Sequence, residues 1–218
     1  MKQFKSPDAE TQFLCGLLEL QYGEGNIKKM KKLASQIPWA RGWPADKEAF
    51  WNGEAFLWKH KISKEKRALI TKELSFLQDG NNLDLGCGAY SYLPSVGFDC
   101  SPEMLKFNEQ CQRKVIGDIE TSLPFASGEF SSVTAVFVLN YVNNYSLLFS
   151  EIFRVLKSGG KFVMILAEKG VHDWQGQKEV NIFSAEKWGK ILKEQGFSVK
   201  INVQEGLAFF LCNKKEKA

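Results

Sequence analysis

A chain of 218 residues, 44% apolar and 25% charged, has enough material for one globular domain with a sizeable core and a small appendage. No run approaches the roughly 20 apolar residues of a membrane span, and the stretch 1–7 lacks a signal-peptide apolar core, so a cytoplasmic protein without a membrane span is expected. The net charge of +4 is mildly basic and excludes little; Lys28, Lys29, Lys31 and Lys32 cluster near the start and Lys214, Lys215 and Lys217 near the end. Such clusters can meet nucleic acid, but they are more often a solvated helix face or a frayed tail. The five cysteines, Cys15, Cys87, Cys100, Cys111 and Cys212, are scattered and form no C-x-x-C pair. They are read as reduced thiols, with neither a disulfide framework nor a metal site.

In chain order, residues 8–36 read as helical. Phe13, Leu14, Leu17, Leu18 and Leu20 form an apolar stripe, Gly23–Asn26 breaks it, and a short basic helix follows. Pro38 and Pro44 bracket an irregular piece. Residues 46–77 are again helical, ending in a helix over 64–77 that turns Ala68, Leu69, Leu74 and Leu77 toward a core. The rings of Phe50, Trp51, Phe56 and Trp58 suit core packing, a lid over a pocket, or both.

From Asn82 the pattern becomes short strands alternating with helices, which implies βαβ units and a mostly parallel sheet. Strands are expected at 82–85, at 95–98 ending on Asp99, at 114–117 ending on Asp118, at 132–139 and at 162–166. Ser101-Pro102 opens a helix with a serine cap and a proline in its first turn. A helix over 146–156 carries Leu147, Leu148, Ile152, Val155 and Leu156, and Gly159-Gly160 is expected to end that region and turn the chain. A last helix, 184–195, turns Ala185, Trp188, Ile191 and Leu192 inward. The three-residue link between strands at 198–203 and 207–212 fits an antiparallel pair.

The stretch Asn82-Leu83-Asp84-Leu85-Gly86-Cys87-Gly88 carries the chemistry: a strand, a carboxylate, then a glycine turn that a ligand can approach closely. A dinucleotide fingerprint would need a third glycine where Ser91 stands. Asp84 beside the turn would repel a pyrophosphate and favour a ligand bearing positive charge.

The run D-L-G-C-G followed by G-F-D-C-S-P-E-M-L resembles the class I S-adenosylmethionine-dependent methyltransferases. So do Val115-Ile116-Gly117-Asp118 with Leu123-Pro124-Phe125, the strand ending Phe137-Val138-Leu139-Asn140-Tyr141, and Arg154-Val155-Leu156-Lys157-Ser158-Gly159-Gly160, all in the family's order. The resemblance covers about residues 50–212. It implies a Rossmann-like, doubly wound α/β fold: a seven-stranded sheet, mostly parallel with one antiparallel strand, preceded by N-terminal helices. Residues 1–77 would be a helical cap or lid, and 78–218 the S-adenosylmethionine-binding domain.

By the same resemblance, Asp84 faces the cofactor's amino group, and Gly86, Gly88 and Ala89 let the backbone pass close. Asp99 accepts from the ribose hydroxyls, with Cys100 beside it. Asp118 accepts from the adenine amino group near the Ile119 amide, Met104 packs on the adenine, and Val136 offers its main chain. One departure stands out: Asp84 and Asp99 lie 15 positions apart, where related folds use about 20 or more. The first crossover is therefore expected to shrink to about one turn, with Tyr90 or Tyr92 lining the pocket.

Methyl transfer asks the protein for alignment, water exclusion and sometimes a base. His172, Asp173 and Tyr141 are the candidates for a base; His60, between two lysines, is expected to face solvent. The motifs look most like the branch that methylates quinones and other small molecules. Alternatives are an RNA or protein substrate, although the N-P-P-Y and Pro-Cys signatures of base methyltransferases are missing, or a cofactor-binding subunit that needs a partner.

Overall fold

The computed structural model describes residues 8–168 and 176–214. Its strands are β1 (Asn82–Leu85), β2 (Ser95–Asp99), β3 (Cys111–Ile116), β4 (Phe130–Val136), β5 (Leu156–Ala167), β6 (Phe197–Gln204) and β7 (Leu207–Lys214). They form one seven-stranded sheet in the order β3-β2-β1-β4-β5-β7-β6. β1 to β5 pair in parallel, and β7 runs antiparallel to both neighbours. This is the expected sheet with one reversed strand. The β6–β7 hairpin turns on Glu205 and Gly206, both at positive φ (51° and 69°), which matches the right-handed twist of the paired strands.

Helices α1 (Ala9–Gln21), α2 (Ile27–Ala34), α3 (Lys47–Lys61) and α4 (Lys64–Leu74) precede the sheet. α5 (Pro102–Phe107), α6 (Tyr145–Val155) and α7 (Ala185–Glu194) lie within the strand sequence. Side-chain caps fix several starts: Asp8 accepts from the Thr11 amide at 2.8 Å, Asp46 from Ala49 at 2.8 Å and Ser101 from Met104 at 3.0 Å. On α2 the four lysines are exposed while Met30, Leu33 and Ala34 are buried, as on an amphipathic helix with a solvated basic face.

The two faces of the sheet are covered differently. One carries Leu83, Leu85, Phe98, Val133 and Phe162 against α6 and α7, including the fully buried Trp188. The other carries Val163, Ile165, Leu207 and Phe209 against Ile70 and Leu74 of α4. A separate cluster of Phe13, Leu17, Met30, Trp43 and Phe50 holds the N-terminal helices together.

Several local expectations are corrected. On α4, Ala68 is exposed and Ile70 takes the buried position, because the stripe facing the sheet runs through 70, 74 and 77. Leu18 lies on the open side of α1, 48% exposed. Gly159-Gly160 does not end the helix. α6 stops at Val155, and β5 already starts at Leu156 and bulges, since Phe130 pairs with Leu156 while Ser132 pairs with Lys161. Gly159 takes φ +68° there, and a Cβ on Gly160 would lie 2.9 Å from the Lys157 carbonyl oxygen. β4 ends at Val136, earlier than expected, where the chain leaves the sheet.

The first crossover is shorter still than expected: residues 86–94 form no helix. The loop lies directly on the sheet, and the surface beneath it is polar to match. Asn82 donates to the carbonyls of Leu77 (3.1 Å) and Pro94 (3.3 Å). Asn108, fully buried, donates to the carbonyls of Cys87 (3.3 Å) and Gly88 (2.9 Å) and to the Ser91 hydroxyl (3.0 Å). A helix would satisfy its own backbone. An irregular loop cannot, so buried side chains supply the partners.

Candidate functional site

The strand order reverses between β1 and β4, and a cavity of about 600 Å³, open mouth included, lies beside the carboxyl ends of these strands. Its floor is the glycine turn. Gly86 and Gly88 sit at φ +59° and +56°, a region closed to most side chains. The Gly86 amide donates to the Phe98 carbonyl at 2.8 Å, and the Gly88 amide to Asp99 Oδ2 at 2.9 Å. Asp99 Oδ1 accepts from the Ser101 amide at 2.8 Å, so this carboxylate ties the turn after β1 to the cap of α5. Burial raises its pKa above the ordinary range; the Ser101 and Gly88 amides oppose that shift.

Asp84 is 4% exposed and accepts from the Thr134 hydroxyl at 2.7 Å. Burial lifts its pKa to about 6, against hydrogen bonds from Ser91 and Thr134. Among the described residues it has no ion-pair partner. It lines a smaller adjoining cavity of about 250 Å³ with Tyr90 and Tyr92; Trp58, Gly86 and Phe137 line both spaces. Both tyrosines therefore line a pocket, as expected for either one. Phe137, just after β4, holds φ +59°, a conformation costing a non-glycine residue about 1–3 kcal/mol. Its amide is anchored on the Ile165 carbonyl at 2.8 Å.

Cys100, Met104, Asp118, Ile119 and Val136 also line the main cavity. Burial, with Asp99 adding to it, pushes the Cys100 thiol up to about 12, so it stays neutral. Ala89 sits behind the turn, packed with Ala55, Trp58 and Met104. Asp118 Oδ1 accepts from the Glu120 amide at 2.9 Å and from Lys47 Nζ at 2.7 Å. Lys47 also bonds Glu120 at 2.8 Å.

Residues 83–164 match a family model described as a methyltransferase domain. That segment is therefore similar to a methyltransferase domain, and the chain shares its fold with a solved structure described as an S-adenosylmethionine-dependent methyltransferase. An uncharacterised protein of Methanocaldococcus jannaschii is 31% identical over 54% of this chain and 64% of its own length. Demethylmenaquinone methyltransferase of Lactococcus lactis is 32% identical over 45% of this chain and 46% of its own. The chain thus spans about half to two thirds of the length of these curated relatives. Among solved structures, a methyltransferase from Aquifex aeolicus aligns with TM-score 0.59 at 13% identity over 75% of this chain and 98% of its own. A chain from the complex between the Haloferax volcanii Trm112 methyltransferase activator and a proposed methyltransferase aligns with TM-score 0.60 at 16% identity, over 76% and 98%. At these identities the structures attest the fold.

The cofactor of such a domain is S-adenosylmethionine, and the residues of this domain fit it. A buried carboxylate without an ion-pair partner among the described residues, Asp84, suits an ammonium. Asp99 uses one lone pair on each oxygen and keeps acceptor capacity for hydroxyls. Met104 and Ile119 give apolar walls, and Gly86 and Gly88 line the same cavity, with Val138 and Trp58 packed where their side chains would be.

Sequence reasoning missed Lys47. A signal for it exists: a lysine in the first turn of a helix opposes the helix dipole, so it needs an acidic partner elsewhere. Trp51 and Trp58 had both readings open, and both line the cavity from α3. Tyr141 lines it too, its ring 5.0 Å from Trp51 at 79°. Its hydroxyl is buried with no hydrogen-bond partner among the described residues. Burial, then Glu179 and Glu54, raises its pKa, which favours a proton-bearing phenol over a base. His172 and Asp173 lie outside the described residues, as does the His60 side chain.

Proposed function

We propose that this protein transfers a methyl group from S-adenosylmethionine to a small, flat acceptor. The observation that carries the reading is the aromatic lining. Trp51 and Trp58 of α3, with Tyr141, line the same cavity as Gly86 and Gly88, Trp58 packing directly on Gly88, and offer flat ring surfaces to a ligand. Residues 1–77 act as the cap and residues 78–218 as the cofactor-binding domain.

In this reading Asp84 holds the cofactor's amino group and Asp99 its ribose hydroxyls. Asp118 and the Ile119 amide hold the adenine edge, Met104 packs on the adenine face, and Val136 contacts the cofactor through its main chain. The sulfonium of the bound cofactor supplies an electrophilic methyl. The protein then has to exclude water and align the acceptor, a task worth several kcal/mol in favourable cases. The rings of α3 exclude water, and the Tyr141 hydroxyl, buried and without a hydrogen-bond partner among the described residues, orients a polar atom of the acceptor. Several relatives are named demethylmenaquinone methyltransferases, so reduced quinones and phenols are the first acceptors to try. The five free thiols suit a cytoplasmic setting.

Calorimetry on the purified chain tests the cofactor half: saturable S-adenosylmethionine binding is expected, and none would overturn the assignment. Mass-spectrometric assay of a panel of quinols, phenols and amines tests the acceptor half. Methylation of RNA or protein with none of the panel modified would overturn it. A partner-dependent reading draws on the Haloferax volcanii complex; turnover by the chain alone argues against it.

A further inference from the structure

We propose that Cys87 and Cys111 form an oxidisable dithiol whose closure to a disulfide deforms the glycine turn and switches off cofactor binding. Cys87 lies inside the Gly86-Cys87-Gly88 turn after β1; Cys111 opens β3, two strands away in the sheet. Their sulfurs nevertheless stand 4.0 Å apart. They meet over Gly97 of the intervening β2, where a Cβ would lie 2.2 Å from the Cys111 sulfur and 2.9 Å from the Cys87 sulfur. A bare glycine is what lets the two thiols face each other.

The pair is asymmetric in the way a two-step oxidation needs. Cys111 is half-buried and Cys87 buried. Cys111, the more exposed of the two, is the sulfur that an oxidant from solvent reaches first, and Ser91 Oγ stands 3.4 Å from it. Cys111 is thus the nucleophile and Cys87 the resolving thiol. With a hydroperoxide as oxidant, the Cys111 thiolate attacks the terminal oxygen and the O–O bond breaks. Cys111 becomes a sulfenic acid, and the alkoxide or hydroxide leaves and takes a proton. The Cys87 sulfur then displaces hydroxide from the sulfenic acid, and water departs with the Cys87 proton. Two thiols and one hydroperoxide give one disulfide, one alcohol (or water) and one water. Cys100 and Cys212, both pushed up to about 12 by burial, are poor competitors.

A disulfide requires the sulfurs to close to about 2.05 Å. Cys87 is held by Asn108 bonds to its own and the Gly88 carbonyl, and Gly88 by its amide bond to Asp99. Where closure draws the Cys87 main chain toward β3, these bonds are strained, and the turn and the Asp99 carboxylate lose register. The effect on binding rests on the cofactor reading above; the cross-link itself does not.

The test oxidises the full chain with hydrogen peroxide and maps disulfides by peptide mass spectrometry, then measures S-adenosylmethionine binding before oxidation, after it and after dithiothreitol. Expected are a Cys87–Cys111 disulfide, affinity weaker by about tenfold or more, and recovery on reduction. Cys111→Ser and, separately, Cys111→Ala should bind the cofactor like the reduced wild type and become indifferent to peroxide. Free Cys87 and Cys111 after oxidation, a different pairing, or a mapped disulfide with unchanged affinity would each overturn the proposal. If the reduced protein binds no S-adenosylmethionine, the cofactor reading fails, and the mapped disulfide still decides whether the dithiol exists.

Discussion

The two ends of the site, the main cavity beside Asp118 and the smaller one beside Asp84, are built on opposite principles. At the Asp118 end, charges are exposed and already paired: Lys47 bridges Asp118 and Glu120, with Lys47 and Asp118 about 40% exposed at the side chain. At the Asp84 end, a single carboxylate is buried among Trp58, Tyr90 and Tyr92, with hydroxyl partners but no cation among the described residues. The first end keeps its shape without a ligand. The second holds a charge whose stability depends on what binds. Asp99 stands between them, fixing the turn that separates the two while also lining the main cavity.

The largest effect expected is therefore at the junction. Asp99→Ala leaves the Gly88 and Ser101 amides without their acceptor in a buried setting, at about 1–3 kcal/mol each. Urea unfolding should show a loss of about 2–6 kcal/mol, with cofactor binding abolished. A variant of wild-type stability would show that the turn does not depend on this carboxylate.

Next comes Asp84, where the comparison predicts a pH signature. Its folded pKa, about 6, is above the unfolded 3.8. The stability linked to this group is therefore fully present below the unfolded value and is lost as pH rises through about 6, by about 3 kcal/mol in all. Asp84→Asn should remove that slope between pH 4 and 6 in urea melts and be the more stable protein at pH 8. Cofactor affinity should move the other way. A cationic partner favours the carboxylate, so wild-type affinity falls as pH drops below about 6, up to tenfold per unit, while Asp84→Asn binds weakly and without this dependence. A wild-type affinity flat from pH 5 to 8 would place the ammonium elsewhere.

How far the sequence carried this picture follows the same division. Asp99 and Asp118 were legible because strand ends announce themselves, by a β-rich run closed by a cap or a glycine, and because the loops after β2 and β3 are short. The mostly parallel sheet and its one reversed strand followed from alternation and from the short link before residue 207, whereas the order of the strands came only with the structure. The shortening of the first crossover was legible as a count of residues, but what replaced the helix was not. Asn108 and Cys111 reach the loop only after a crossover has folded back beside it, and no local pattern pairs positions 87 and 111. The bulge at Gly159-Gly160 was misread because a glycine pair after a helix serves a turn and a widened strand register equally well. Lys47 is 71 positions from Asp118, a contact set by how α3 crosses the strand ends.

Lys47 gives the smallest expected effect and tests the exposed end most directly. Its ammonium occupies Asp118 Oδ1, which also accepts from the Glu120 amide; among the described residues no hydrogen bond is formed to Oδ2. If the adenine amino group uses Oδ2, the lysine stays in place and helps only by holding α3 over the cavity. An ion pair this exposed contributes about 0–1 kcal/mol, so Lys47→Met should weaken cofactor binding less than about tenfold. That difference should shrink further in about 1 M salt, where the screening length falls to about 3 Å. The opposite sign, tighter binding by Lys47→Met, would mean that the lysine competes with adenine for the carboxylate and that α3 must swing out before the cofactor enters.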